Sequence, residues 1–376
     1  MSKPSICFVS LQAYPLLGNS DCKTVGGAEL QQVLLAKELA SRGFEISFVV
    51  GDYGQKKLEE VNGIIIIKSS QSFISHRNRV LRSVPDALSL QRAMNIANAD
   101  IYYQRTAHFY TGQVAFFCKI KRKKFIFSIG HDSNCDINLL NKLNKAIKFM
   151  YVYGIKNADC IVAQSKEQQS LMKENFGKDS VLIKTGHFLP EHKPDKNTPP
   201  TILWVGALSK RKKQPELFLK LAKSIPDAKF QMICAPSIDK RYYQQINELA
   251  DRIPNLDIVG FVPYPEVNQY FERASIFVNT SSVEGFPNTF IQAWARYTPV
   301  VSLNVDPDEI ICKYKLGLHS RTFKQMVEDV KLLLEDEELR EEMGVNGRKY
   351  VEREHDLKKI VEKYIKLFKT MMGGDG

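Results

Sequence analysis

One carboxylate, Glu284, lies inside the stretch Ser281-Ser282-Val283-Glu284-Gly285-Phe286-Pro287-Asn288-Thr289-Phe290-Ile291-Gln292. Ahead of it, Ala274 to Asn279 is a short apolar run of strand type, and behind it a helix-like segment leads to a second run, Pro299 to Leu303. That is a strand, loop, helix, strand unit, the crossover that parallel strands require. In open α/β sheets the ligand crevice lies at the carboxyl ends of the strands, so Glu284 is expected to project into a cleft. With Pro287 or Asn288 opening the helix, the first-turn N–H groups of Asn288 and Thr289 would face an anion. Gln292, one turn in, would lean back toward the same end. A carboxylate, an amide and an anion seat therefore converge on one helix N-terminus.

Two further spots in the first half of the chain have the residue types for ligand work. Gly26-Gly27 stands where a long polar loop meets an amphipathic helix that carries Leu30, Val33, Leu34 and Leu39 and ends at Gly43. A glycine pair there lets a backbone approach a ligand closely, although a helix start needing convenient torsions would use the same residues. His131 follows the apolar run Lys124 to Ser128, just past a strand's carboxyl end, where α/β proteins keep their ligands. A solvated loop histidine is the plainer alternative.

These spots have to be positioned by alternating strands and helices. Strands are expected at 6–10, 44–50, 64–67, 100–105, 124–128, 159–163 and 181–183, with helices at 86–97, 112–118, 139–154 and 166–175. The polar, proline-bearing run 192–200 reads as a linker. The alternation then restarts with strands at 201–205, 229–233, 256–259 and 275–279, separated by helices from Pro215, Lys240 and Tyr264. From Arg321 the pattern is purely helical, and the end from Met371 is expected to fray. The fold class is α/β, with two Rossmann-like domains in tandem. No GxGxxG motif follows the first strand, which disfavours hydride transfer.

The composition suits a soluble two-domain protein: 376 residues, 44% hydrophobic and 25% charged. No run approaches the roughly 18 apolar residues of a membrane span, and the N-terminus lacks a secretory apolar region. Seven cysteines without CxxC spacing are expected to be reduced thiols in a cytoplasmic protein. The formal charge of +11 favours an anionic partner. Lys119, Lys121, Arg122, Lys123 and Lys124, with Lys142, Lys145 and Lys148 on the next helix, form a basic surface. That surface would suit anionic lipid headgroups at the inner face of a membrane, or would simply be a solvated lysine face. Nucleic-acid binding lacks a stacking platform or a known motif.

The stretch around Glu284 resembles the signature of family-four retaining glycosyltransferases of the GT-B fold, in which two glutamates stand eight positions apart; here the second is Gln292. The resemblance extends along the chain through Val25-Gly26-Gly27-Ala28-Glu29, Gly130-His131-Asp132, Asn157-Ala158-Asp159 with Ser165, and Trp204-Val205-Gly206-Ala207-Leu208 followed by Lys212, Lys213 and Pro215. It implies an N-terminal acceptor domain over 1–191, joined by the last helix at about 356–376, and a donor domain over 201–355. A cleft between them would hold a nucleotide diphosphate sugar and a hydroxyl acceptor, a glycan or lipid-linked precursor.

The resemblance also implies roles. Gly26 and Gly27 would meet the donor diphosphate through backbone N–H groups, and His131 would sit beside the transferred sugar. Lys212 or Lys213 would neutralise the diphosphate, with Lys213-Gln214-Pro215 fitting the downstream pattern better. Glu284 would bind sugar hydroxyls, Gly285 to Thr289 (Phe286, Pro287 and Asn288 included) would seat the diphosphate, Gln292 would face the ribose, and Val262 would lie at the base-contacting edge. No metal or other cofactor is expected, because lysine and oriented amides neutralise the charge. Asp306-Pro307-Asp308 matches DxD formally, yet reads as a structural turn. Ala207 stands where the family often has arginine.

Overall fold

The computed structural model describes residues 3–18, 26–69, 83–141, 144–235 and 239–373. Cys22, Val25, Lys142, Leu143 and residues 374–376, part of the end expected to fray, lie outside them. The chain divides into two compact units, Met1–Gly186 with Leu357–Gly376, and His187–Asp356. The run 192–200, expected as the linker, thus falls inside the second unit. There the Lys196 ammonium donates to the Arg296 carbonyl at 2.7 Å and to Thr298 Oγ1 at 2.7 Å.

The first unit begins with β1 (Ile6–Val9), α1 (Tyr14–Leu17), α2 (Gly27–Ser41) and β2 (Ile46–Val50). The hairpin β3 (Leu58–Val61) and β4 (Ile64–Lys68), α3 (Ser83–Ala97), β5 (Ile101–Arg105) and α4 (Tyr110–Lys121) follow. It continues with β6 (Lys124–Ser128), α5 (Ile137–Leu140), α6 (Lys145–Lys156), β7 (Cys160–Ala163), α7 (Lys166–Phe176) and β8 (Val181–Leu182). Strand order is β3-β4-β2-β1-β5-β6-β7-β8, parallel except for β3 against β4. The hairpin turns on Asn62 and Gly63, both at positive φ (51° and 76°), the left-handed pair that a two-residue turn favours.

The helix expected at 139–154 is two helices. Asn144 accepts from the Ala146 N–H at 2.9 Å and caps a new start, and Ile147 is exposed. Two glycines let α4 and α6 touch: a Cβ on Gly112 would lie 2.4 Å from the Met150 carbonyl oxygen, and one on Gly154 2.7 Å from the Thr111 methyl. On the opposite sheet face Phe8 stacks on Phe48 at 5.0 Å and meets Tyr103 at 5.1 Å. A last helix of the chain covers that face, and its Tyr364 hydroxyl lies 3.1 Å from that of Tyr103.

The second unit contains β9 (Thr201–Ala207), α8 (Pro215–Ser224), β10 (Lys229–Ala235), α9 (Lys240–Ala250), β11 (Leu256–Gly260) and α10 (Tyr264–Arg273). Then come β12 (Ile276–Asn279), α11 (Asn288–Ala295), β13 (Val300–Ser302), α12 (Ile310–Tyr314) and β14 (Gly317–His319). Helices α13 (Phe323–Glu335) and α14 (Glu337–Glu354) precede α15 (Leu357–Met371), the helix that carries Tyr364 back to the first unit. Its six strands run in the order β11-β10-β9-β12-β13-β14, all parallel.

Alternation along β9 sends Ile202 and Trp204 to one face and Leu203 to the other, so each face has its own buried core. Trp294, fully buried on α11, donates from its indole N–H to the Leu316 carbonyl at 2.8 Å. The C-terminal end of α11 is thereby tied to the segment that leads into β14. Among the described residues no helix is long and apolar enough to cross a membrane, and the six described cysteines form no disulfide.

Candidate functional site

Strand order in the second unit reverses between β9 and β12, which are neighbours although β10 and β11 intervene in sequence. At such a switch point the loops leaving adjacent strands diverge and open a crevice. Here the loops after β9 and β12 are tied to each other at their base. The Ser282 N–H donates to the Lys212 carbonyl at 2.8 Å, Ser282 Oγ to the Arg211 carbonyl at 2.8 Å, and Thr280 Oγ1 to the Lys213 carbonyl at 2.7 Å. Trp204 Nε1 in turn donates to Thr280 Oγ1 at 3.0 Å, linking both loops to the core.

This lacing brings the Lys213 ammonium onto Glu284 Oε1, and Ser281 Oγ donates to the same oxygen at 2.8 Å. The Glu284 side chain is 11% exposed and that of Lys213 26%. A largely desolvated carboxylate is thus balanced by one ammonium and one hydroxyl, while the ammonium keeps donors for a second partner. Lys212 is exposed instead, and its carbonyl fastens the loop.

Gly285 and Pro287 are buried; Phe286, Asn288 and Thr289 are half-buried. Pro287 is the N-cap of α11, so Asn288 and Thr289 form its first turn, where backbone N–H groups have no acceptor within the helix. Val262, half-buried, packs at the carboxyl end of β11. Gln292 is 4% exposed, and its amide N–H donates to Asn268 Oδ1 on α10 at 3.2 Å.

Sequence reasoning missed His187. It is fully enclosed, with Nδ1 3.1 Å from the Tyr264 hydroxyl and Nε2 3.3 Å from Asn288 Oδ1. Burial pushes its pKa down to about 4, and Arg296 acts in the same direction, so the ring is neutral near pH 7. It fixes the side chain at the first position of α11. Its only sequence cue is a histidine in an irregular segment, which carries no periodic signal.

The first unit has its own switch point, between β1 and β5. Gly26 caps α2 there, and the Glu29 carboxylate folds back over it, so close that a Cβ on residue 26 would lie 2.0 Å from Glu29 Oε2. The expected anion seat at Gly26-Gly27 thus has a protein carboxylate over it. Burial raises the Glu29 pKa, while its own backbone N–H and Arg105, at the end of β5, act in the opposite sense. Glu29 was legible only as part of the glycine motif; a carboxylate in a helix's first turn was the available signal. His131 is exposed at the end of β6 and heads a 3-10 turn over Asp132–Asn134. Asn134 Oδ1 accepts from the N–H groups of Gly130 and His131 at 3.0 and 3.1 Å.

Asp306 accepts from the Ile311 N–H at 2.8 Å, as a turn residue does. Among the described residues, Asp306, Cys312 and His319 are a set whose ligand-type atoms come within 4.8 Å of one another.

A sequence model of Glycosyltransferase Family 4 matches residues 25–186, and one of Glycosyl transferases group 1 matches residues 188–350. An uncharacterized glycosyltransferase of Haemophilus influenzae is 23% identical over 360 residues, which cover 91% of this chain and 96% of that protein. Among solved structures, sucrose-phosphate synthase from Thermosynechococcus elongatus aligns with a TM-score of 0.80 at 15% identity, covering 99% of this chain and 100% of its own. HepE of Anabaena, solved in complex with UDP-glucose, aligns with a TM-score of 0.72 at 14% identity over 98% of this chain and 100% of its own. With one glycosyltransferase family model on each unit and this architecture running through both, the chain is a glycosyltransferase of the GT-B fold.

Proposed function

We propose that the protein is a retaining, metal-independent hexosyltransferase that moves a sugar from a nucleotide diphosphate donor to a hydroxyl acceptor in glycan biosynthesis. The observation that carries the reading is the junction of Lys213, Ser281 and Glu284 at the switch point of the second unit, beside the first turn of α11. Loss of a nucleoside diphosphate leaves negative charge on phosphate oxygens. An ammonium with donors to spare and oriented N–H groups bind that charge more strongly in the transition state than in the ground state, which is how rate is gained. Glu284, held by Lys213 and Ser281, would accept from sugar hydroxyls. The side chain of Gln292 retains a carbonyl oxygen for a ribose hydroxyl, and Val262 lies where a base edge would pass. His131, in the first unit, would attend the transferred sugar.

The acceptor we propose is a glycan or lipid-linked precursor, met by a cytoplasmic enzyme at the inner face of a membrane. HepE, the Anabaena relative in fold, was solved with UDP-glucose, which supports a nucleotide sugar as donor. The test is calorimetry against a panel of nucleotide sugars, paired with an assay for slow donor hydrolysis. Binding with turnover that is lost in Lys213→Ala and Glu284→Ala is expected; absence of binding to every donor would sink the reading. A second reading, a catalytically silent subunit of the same fold, is favoured by one observation: the Gln292 amide is already engaged by Asn268. Under that reading nucleotide binds without turnover.

A further inference from the structure

We infer that the outer faces of α4 and α6 form one surface that docks on an anionic lipid bilayer, with Phe116, Ile120 and Phe149 entering the headgroup region between lysines. The inference gives the membrane contact of the previous section a location and an insertion mode. It rests on that reading only for the presence of a membrane, and not on the transfer chemistry.

The surface follows from topology. Helix α4 leads into β6 and α6 into β7, and these strands are parallel neighbours, so the two helices run side by side in the same direction. Gly112 and Gly154 remove the side chains that would separate them. Beside this seam, on the row that runs from Gly112 through Phe116 to Ile120 and at Phe149 next to Met150, large apolar side chains stay exposed. Phe149 is 68% exposed, Ile120 60% and Phe116 50%. On α4, Phe116 and Ile120 stand one turn apart and therefore point the same way.

The charge says what covers this face. The two helices hold five lysines (Lys119, Lys121, Lys145, Lys148 and Lys156) and neither contains Asp or Glu. Nearby carboxylates are matched to other lysines: Asp100 lies 3.9 Å from Lys123, and Asp159 3.6 Å from Lys124. None of the five forms an ion pair among the described residues. A solvated lysine face accounts for the ammonium groups and leaves three large apolar side chains in water. A protein partner would favour a contiguous apolar centre with charges at the rim. Apolar groups interleaved with lysines fit a headgroup layer, where the ammonium groups meet phosphate while the rings reach the acyl boundary.

The experiment is flotation of the full-length protein with vesicles of phosphatidylcholine alone and vesicles containing phosphatidylglycerol, at low and high salt. The expected result is binding to the phosphatidylglycerol vesicles only, weakened by salt. Each lysine contributes about fivefold to the partition coefficient, so Lys119→Glu with Lys145→Glu should lower it by about 25-fold or more. The triple variant Phe116→Ser, Ile120→Ser, Phe149→Ser should lower it by at least about tenfold while its circular dichroism stays that of the parent. Equal binding to both vesicle types, binding to neither, or a triple variant that binds like the parent would each overturn the inference. So would salt-insensitive self-association abolished by the triple variant. Donor hydrolysis without vesicles separates the two proposals: it should persist in the triple variant, and its absence in every variant would count against the enzymatic reading alone.

Discussion

Acidification should loosen the second unit through one side chain. His187 ordinarily would titrate near 6.5, and the fold holds it down to about 4. Above about pH 6.5 neither the folded nor the unfolded state binds the proton, and the contribution to stability is complete. Between 6.5 and 4 only the unfolded state binds it, so stability falls as pH falls. The loss is about 2 kcal/mol at about pH 5 and approaches about 3 kcal/mol when the folded pKa is reached. The protein offers a local probe, because its two tryptophans, Trp204 and Trp294, both belong to the second unit. Denaturant unfolding followed by tryptophan fluorescence at about pH 7 and about pH 5 gives the slope. In His187→Gln the ring's partners Tyr264 and Asn288 keep a neutral hydrogen-bonding group and the titration disappears. That variant should cost about 1 kcal/mol at neutral pH and lose about 2 kcal/mol less on acidification. If the His187→Gln and parental stabilities fall in parallel with pH, the assignment of the acid lability to this ring is refuted.

Two further outcomes follow from local geometry. Gly112→Val places a side chain against the Met150 carbonyl oxygen, 2.4 Å from the new Cβ. It should destabilise the first unit by about 1–3 kcal/mol or more, read as faster hydrogen exchange in peptides of α4 and α6. The raised pKa of Glu29 means that the folded first unit retains a proton that the unfolded chain releases. Stability of that unit should decline as pH rises from the ordinary carboxyl range through the raised value. Glu29→Gln should remove the decline, seen by hydrogen exchange of α2 at the two ends of that range.

Much of the scaffold was readable because buried parallel strands are apolar runs. Ile46–Val50 is buried at every position and Ile276–Asn279 likewise. Leu58–Val61 was not readable that way: it is an edge strand with half its residues exposed, and the cue was the Asn62-Gly63 turn instead. Gly317–His319 is too short to show a period. The merged helix at 139–154 failed because apolar spacing continues across a cap that only Asn144 signals.

The site was legible in pieces. Glu284 and the start of α11 follow from one continuous stretch, and the basic loop from another. Their junction does not, because Lys213 and Glu284 are 71 residues apart and meet only through the adjacency of β9 and β12. His187 and the fold-back of Glu29 over Gly26 depend on burial and on contacts that no spacing encodes.

In the proposed reaction Lys213 acts on the leaving diphosphate and Glu284 on the sugar of a nucleotide donor. The most direct measurement is release of nucleoside diphosphate from a panel of nucleotide sugars, by the parent and by Lys213→Ala and Glu284→Ala. Each variant is first checked for tryptophan-detected unfolding like the parent's. Slow release from at least one donor is expected for the parent, reduced by about a hundredfold or more in each variant, the usual effect of removing one charge-stabilising group. Release at the parental rate in both folded variants, or no release from any donor by the parent, would contradict it.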